Sequence, residues 1–215
     1  MTSSPASLAS VTLEVNDLAA AERFYADAFG LTAPRLRLRA SDAPTSGFRG
    51  FTLSITVARP SDVDSFIASA VEAGATVIKP AAKSLWGYGG VVKAPDGTLW
   101  KLATSAKKDS GPATREIGEL VLLLGVENVK TTKQFYVEQG LTVGKSFGSK
   151  YVEFAAGPSS PVKLALYKRP ALAKDAGVPP EGTGSHRVTL GGTTSSFSDP
   201  DGFTWEAVTP AAASS

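Results

Sequence analysis

The sequence contains no cysteine and a single histidine. The first absence excludes disulfides, iron–sulfur clusters, thiol nucleophiles and cysteine-ligated zinc. The second excludes, within one subunit, any site that needs two imidazoles. Net charge is nearly absent as well: 22 Lys and Arg face 20 Asp and Glu, a formal +2. Nucleic acid and anionic membrane normally demand a dense basic face, so this balance argues against both as partners. Long apolar runs are also missing. Stretches such as Leu120 to Leu124 cover only a few residues, far short of a membrane span. Met1 to Ala9 is small and polar, without a basic region leading into an apolar run. The expectation is a cytoplasmic protein.

What is present suits a globular chain. Hydrophobic residues make up 42% and charged residues 20% of 215 positions, enough for one large domain or two small ones. The order of landmarks nearly repeats. Val11-Thr-Leu-Glu-Val-Asn-Asp-Leu18 leads to Phe24-Tyr25 and Gly30-Leu31; Val121 to Val129 leads to Phe135-Tyr136 and Gly140-Leu141. Ala94-Pro-Asp-Gly-Thr-Leu-Trp100 is matched by Asp199-Pro-Asp-Gly-Phe-Thr-Trp205. Internal duplication is the simplest explanation. The halves are read as 1–105 and 117–210, joined by a polar linker at 106–116 near the Gly111-Pro112 breaker. A tail follows at 211–215, where fraying is expected.

Local patterns give an α+β arrangement, with helices on one face of antiparallel-rich sheets. Asn16-Asp17 predicts a capped helix with the stripe Leu18, Ala21, Phe24, Tyr25 and Ala28, ending at Gly30. Asn128 does the same before Phe135. Ser61 with Asp64 predicts a third helix, with Val63, Phe66, Ile67, Ala70 and Val71 as its apolar stripe. Phe51, Leu53, Ile55 and Val57 alternate with Thr52, Ser54 and Thr56, so one strand face is apolar and the other carries small hydroxyls. Thr52 and Ser54 suit the wall of a wet cavity, or a sheet face covered by a loop. Arg35, Arg37 and Arg39 share one strand face. They form either a cationic wall for an anion, with Arg37 as a ligand contact, or a charge-protected edge.

The strand–helix opening with Phe-Tyr and Gly-Leu, closed by Pro-Asp-Gly before an aromatic strand, resembles the vicinal oxygen chelate superfamily. This is the glyoxalase/bleomycin-resistance/extradiol-dioxygenase fold, and the resemblance covers both halves. It implies paired βαβββ modules whose curved mixed or antiparallel sheets enclose a pocket, with helices on the outer face. Members include metal-dependent lyases, isomerases and dioxygenases, and metal-free proteins that sequester drugs. The modules here look trimmed. Little sequence lies between Ala40 and Phe51, and no helix fits between Val188-Thr-Leu-Gly-Gly192 and Asp199.

The resemblance also implies where metal ligands fall. In the first half these positions hold Ser10, Thr52 and Lys101. Hydroxyls and an ammonium do not hold a divalent cation. In the second half His186 and Glu206 stand at the family's His and Glu positions, whereas Val121 cannot coordinate. Glu119, two residues earlier on the same strand face, completes a conceivable Glu119–His186–Glu206 site. The same His186–Glu206 pair could instead serve as general acid and base without metal.

Leu85-Trp-Gly-Tyr-Gly-Gly90 sets two aromatics among glycines before a strand. Trp86 and Tyr88 could stack on a flat ligand or close a hairpin with their rings in the core. Lys168 to Gly184 is a long irregular stretch, read as a lid with a helical turn or two over Ala171 to Ala176. Three functions follow. The first is a glyoxalase/bleomycin-resistance-like protein that binds a small organic molecule without cofactor. The second is a lyase-, isomerase- or dioxygenase-type enzyme working at His186 and Glu206, with or without a divalent metal. The third is an inactive structural or regulatory member. The expected partner is a small-molecule ligand, and self-association as a homodimer stays open.

Overall fold

A computed structural model describes residues 7–157, 160–193 and 195–207; the tail at 211–215 lies outside them. The chain forms four consecutive units. The first holds β1 (Ser10–Val15), α1 (Leu18–Phe29), β2 (Arg37–Ala40) and the short β3 (Thr45–Gly47). The second runs β4 (Phe51–Thr56), α2 (Pro60–Glu72), β5 (Thr76–Ser84), β6 (Gly87–Lys93) and β7 (Leu99–Thr104). The third repeats that order in β8 (Glu119–Val126), α3 (Val129–Glu138), β9 (Val143–Phe147), β10 (Tyr151–Phe154) and β11 (Lys163–Lys168). Then come α4 (Arg169–Ala176) and β12 (Gly182–Gly184), and a fourth unit of β13 (Val188–Thr193), β14 (Phe197–Ser198) and β15 (Thr204–Ala207). The middle units are full βαβββ modules. The outer two are trimmed, and the fourth has no helix among the described residues.

Two large sheets result, each crossing the 106–116 segment in sequence. The first and fourth units share a five-stranded sheet, β14-β15-β13-β1-β2. The second and third share an eight-stranded sheet, β5-β6-β7-β4-β8-β11-β10-β9, in which β4 and β8 pair antiparallel. A two-stranded ribbon of β12 and β3 ties the far ends of the chain together.

Alternation sets which face is buried. Val11, Leu13 and Val15 of β1, and Phe51, Leu53 and Ile55 of β4, enter one continuous core with apolar residues of α1, α2 and α3. Each such aliphatic or Phe side chain contributes roughly 1.5–3 kcal/mol on burial. The opposite sheet faces, turned away from α1–α3, are called inner faces below.

Helix ends largely follow the local signals. The Asp17 carboxylate accepts from Ala20 N at 2.9 Å, and Gly30 closes α1 at φ 65°. Asn128 Oδ1 accepts from Lys130 N and Thr131 N at the start of α3. α2 departs from the expected Ser61–Asp64 box. Pro60 opens the helix, and its cap comes from the linker: Asp109 Oδ1 accepts from Ser61 N at 2.7 Å. Asp62, wholly buried, accepts in turn from Thr114 N and Arg115 N at 2.6 and 3.0 Å. The linker is therefore strapped to α2 by charge-assisted hydrogen bonds. Val71, expected in the α2 stripe, is 44% exposed, because the buried face runs through Val63, Phe66 and Ala70.

The repeated landmarks meet in space. The Tyr25 hydroxyl on α1 donates to Asp96 Oδ2 in the β6–β7 turn at 2.6 Å, with its ring 5.6 Å from that of Trp100. The Tyr136 hydroxyl on α3 donates to Asp199 Oδ2 beside the β14–β15 turn at 2.6 Å and accepts from Trp205 Nε1 at 3.2 Å. Asp199 also accepts from Asp201 N and Phe203 N at 2.9 and 2.8 Å. Burial still pushes its carboxyl above the ordinary aspartate value.

Tyr136→Phe removes the donor from a buried carboxylate and the acceptor from Trp205. We expect a loss of about 1.5–3 kcal/mol in urea unfolding, at unchanged denaturant slope. Tyr25→Phe should cost less, because Asp96 is half-exposed and water can replace the hydroxyl. Equal losses would contradict this ranking.

Candidate functional site

The inner face of the five-stranded sheet carries a charged cluster. β1 and β2 run parallel with Glu14 opposite Arg39, and β13 lies on the other side of β1. Arg39 reaches back across the sheet. Its guanidinium donates to Glu14 Oε1 at 2.8 Å, Thr189 Oγ1 at 2.8 Å and Glu206 Oε1 at 2.7 Å. Thr189 passes its own proton to Glu14 Oε1 at 3.0 Å. Four adjacent strands are thus bridged by one side chain. Burial alone would raise the Glu14 carboxyl, but hydrogen bonds from Arg39 and Thr189 outweigh it and hold the group below the ordinary glutamate value. Arg37, two residues before Arg39, is exposed and borders an open groove beside α1 instead. Arg35 lies in the turn before β2 rather than on the strand.

His186 sits at the edge of this face, stacked on Phe203 with ring centroids 4.0 Å apart. Its Nδ1 lies 2.5 Å from the Arg49 carbonyl oxygen and its Nε2 3.0 Å from that of Asp201. Both ring nitrogens face backbone carbonyl oxygens, so neither is aimed at a ligand. Gly50 packs against this ring at φ 84°, where a Cβ would meet Arg169 Nη1 at 2.5 Å.

These positions do not bring the expected Glu119–His186–Glu206 set together. Glu119 belongs to the other sheet, where it pairs with Lys163 at 2.6 Å. Glu206 is held by Arg39, and His186 by two carbonyls. Among the described residues, no three His, Asp or Glu side chains gather as a metal-holding group. As placed, Glu119, His186 and Glu206 do not form a donor set for a divalent ion. The His186–Glu206 acid–base pair meets the same objection: no hydrogen bond joins the two, and each has other partners.

The inner face of the eight-stranded sheet is partly filled by the chain itself. The Lys168–Gly184 stretch folds into α4, with Pro170 in its first turn and Gly177 closing it at φ 80°. Leu172, Ala173 and Ala176 pack with Phe48, Leu99, Leu123 and Tyr167 as a second apolar cluster. Arg169 anchors the start of α4 by donating to the Phe48 and Pro180 carbonyls at 2.6 and 2.9 Å. Thr52 and Ser54 are 4% and 6% exposed, and neither borders the cleft described next.

Beside α4 an open cleft of about 310 Å³ remains over β5, β6 and β7. Part of its floor is bare, at Gly89, Gly90 and Ala103. A Cβ on Gly89 would lie 2.7 Å from the Leu102 carbonyl oxygen and 3.2 Å from the Ala103 Cβ, so β6 and β7 touch closely there. Lys79, Lys83 and Lys101 stand around it, with Asp175 of α4 beside Lys101. Trp86 is at the mouth, at the tip of the β5–β6 hairpin, and is 85% exposed. Tyr88 borders the cleft but its hydroxyl donates to Asp64 on α2 at 2.7 Å, so its polar end is already satisfied. Glu14, Lys79, Lys83 and Asp175 are the site residues that sequence reasoning missed. The alternation of Glu14 with Leu13 and Val15 could have marked the first; Asp175 lies in a stretch without readable period.

No protein-family profile matches the sequence, and no curated protein matches it. Solved structures do match, and they give the chain the vicinal oxygen chelate fold of glyoxalases and related dioxygenases. Glyoxalase I from Zea mays is 15% identical with a TM-score of 0.60, over 94% of this chain and 92% of that one. A candidate dioxygenase from Bacillus subtilis is 10% identical with a TM-score of 0.58, over 94% and 84%. Such low identities establish the fold alone. No helix among the described residues is long and apolar enough to cross a membrane.

A carboxyl whose pKa is depressed by folding stabilises the protein above its unfolded-state pKa and loses that contribution as pH falls through the folded value. Arg39→Met should therefore cost about 1 kcal/mol at neutral pH and low salt, and the gap to wild type should close on acidification to about pH 3. Chemical denaturation across that range checks this. A gap that stays constant with pH would show that Arg39 acts by packing rather than by charge.

Proposed function

We propose that the protein binds a small organic molecule, without a metal ion, in the cleft over β5, β6 and β7. The observation that carries this reading is a sheet-lined space of about 310 Å³ whose lining includes Gly87, Gly89, Gly90 and Ala103 and whose mouth holds a tryptophan 85% exposed. An exposed indole is costly to leave in water and gains most when a flat apolar surface covers it. Cations around an apolar floor supply orientation, as in many small-molecule sites. Glyoxalase I of Zea mays carries an enzyme's name. For this chain, binding rather than acid–base catalysis is favoured, because His186 and Glu206 are both committed to other partners.

Trp100 and Trp205 are 0% exposed, so acrylamide reaches Trp86 first. A panel of mono- and bicyclic aromatic compounds should include members that protect Trp86 from acrylamide quenching. Trp86→Ala should weaken their binding about three- to tenfold, the range for one lost stacking contact. A panel in which no compound changes the quenching would overturn the reading.

A further inference from the structure

We propose that the cleft selects organic anions, and that Asp175 is a built-in stand-in for the ligand's acidic group. This rests on the binding reading above and adds the class of ligand. Three lysines and one acid line the cleft. Lys101 projects from β7, an inner strand flanked by β6 and β4, where an ammonium needs a counter-charge. Asp175 supplies it: Lys101 Nζ lies 2.6 Å from Asp175 Oδ2, and Lys79 Nζ donates to the Asp175 carbonyl oxygen at 2.9 Å.

Asp175 is placed against its own helix's preference. It is the penultimate residue of α4, where the exposed carbonyl ends disfavour a carboxylate and favour a cation. The lysines offset that cost in the unliganded protein. The pair is also easy to exchange. Its side chains are 35% and 43% exposed, and ion pairs of that kind contribute little net stability. Meanwhile α4 is held by Leu172, Ala173 and Ala176, so Asp175 can swing away without the helix leaving. A carboxylate or phosphate entering under Trp86 would take the place of Asp175 Oδ2 on Lys101, with Lys83 as a further cation.

The test uses the full chain and two isosteric probes, 2-naphthoate and neutral 2-naphthamide, titrated by Trp86 quenching. We expect naphthoate to bind about tenfold tighter than naphthamide, with the difference shrinking as salt rises. Asp175→Asn should tighten naphthoate several-fold and leave naphthamide unchanged. Lys101→Met should bring naphthoate down to the amide's level. Should Lys101→Met fail to fold by circular dichroism, Lys83→Met and Asp175→Asn carry the same comparison from exposed positions. Equal binding of the two probes, unaffected by Asp175→Asn, would overturn the anion inference while leaving the cleft reading intact. No binding of either probe to wild type or Asp175→Asn would overturn both.

Discussion

The fold depends on one constraint used twice: a buried tyrosine hydroxyl fixed to an aspartate in, or immediately before, a Pro-Asp-Gly turn. Tyr25 fastens α1 of the first unit to the β6–β7 turn of the second. Tyr136 fastens α3 of the third unit to the β14–β15 turn of the fourth. The sheets join the units the other way, first with fourth through β1 and β13, and second with third through β4 and β8. Latches and sheets together close a ring of four units. Neither contact set alone would do so, which explains how a chain with two trimmed units keeps one continuous core. The two latches differ in detail: Tyr25 holds Asp96 inside its Pro-Asp-Gly turn, whereas Tyr136 holds Asp199 just before Pro200, and Asp201 of that turn accepts from Glu127 N and Thr132 Oγ1 instead.

Closing the ring leaves two inner faces, and each carries a basic side chain in an ion pair. Arg39 is clamped between Glu14 and Glu206, and Lys101 faces Asp175. In both places the basic side chain is already paired with a carboxylate. The two faces then diverge. On the five-stranded sheet the charges satisfy one another across four strands. On the eight-stranded sheet a single exposed ion pair guards a cleft with a partly bare floor.

Much of the fold was legible because its signals are local. Asp17 and Asn128 cap the helices they precede, and the Phe51–Val57 alternation assigns the faces of β4. The site was less legible because its partners are distant in sequence. Glu206 reads as a candidate ligand beside Trp205, but only the pairing of β15, β13, β1 and β2 shows that Arg39 holds it. His186 occupies a promising position, yet its partners are backbone carbonyls that any residue could offer. The cap of α2 failed for the same reason: Asp109 reaches it from the linker. Asp175 shows the limit most clearly, since it gains meaning only when α4 docks on an inner face that the sequence leaves unnamed.

The proposal to be tested is binding without a metal ion, with paired basic side chains on the two inner faces. Isothermal titration of the purified, chelator-treated full chain with zinc, nickel and manganese addresses it directly. The account predicts no stoichiometric binding of any of the three. One equivalent bound at micromolar affinity, abolished by His186→Ala or Glu206→Gln, would contradict it.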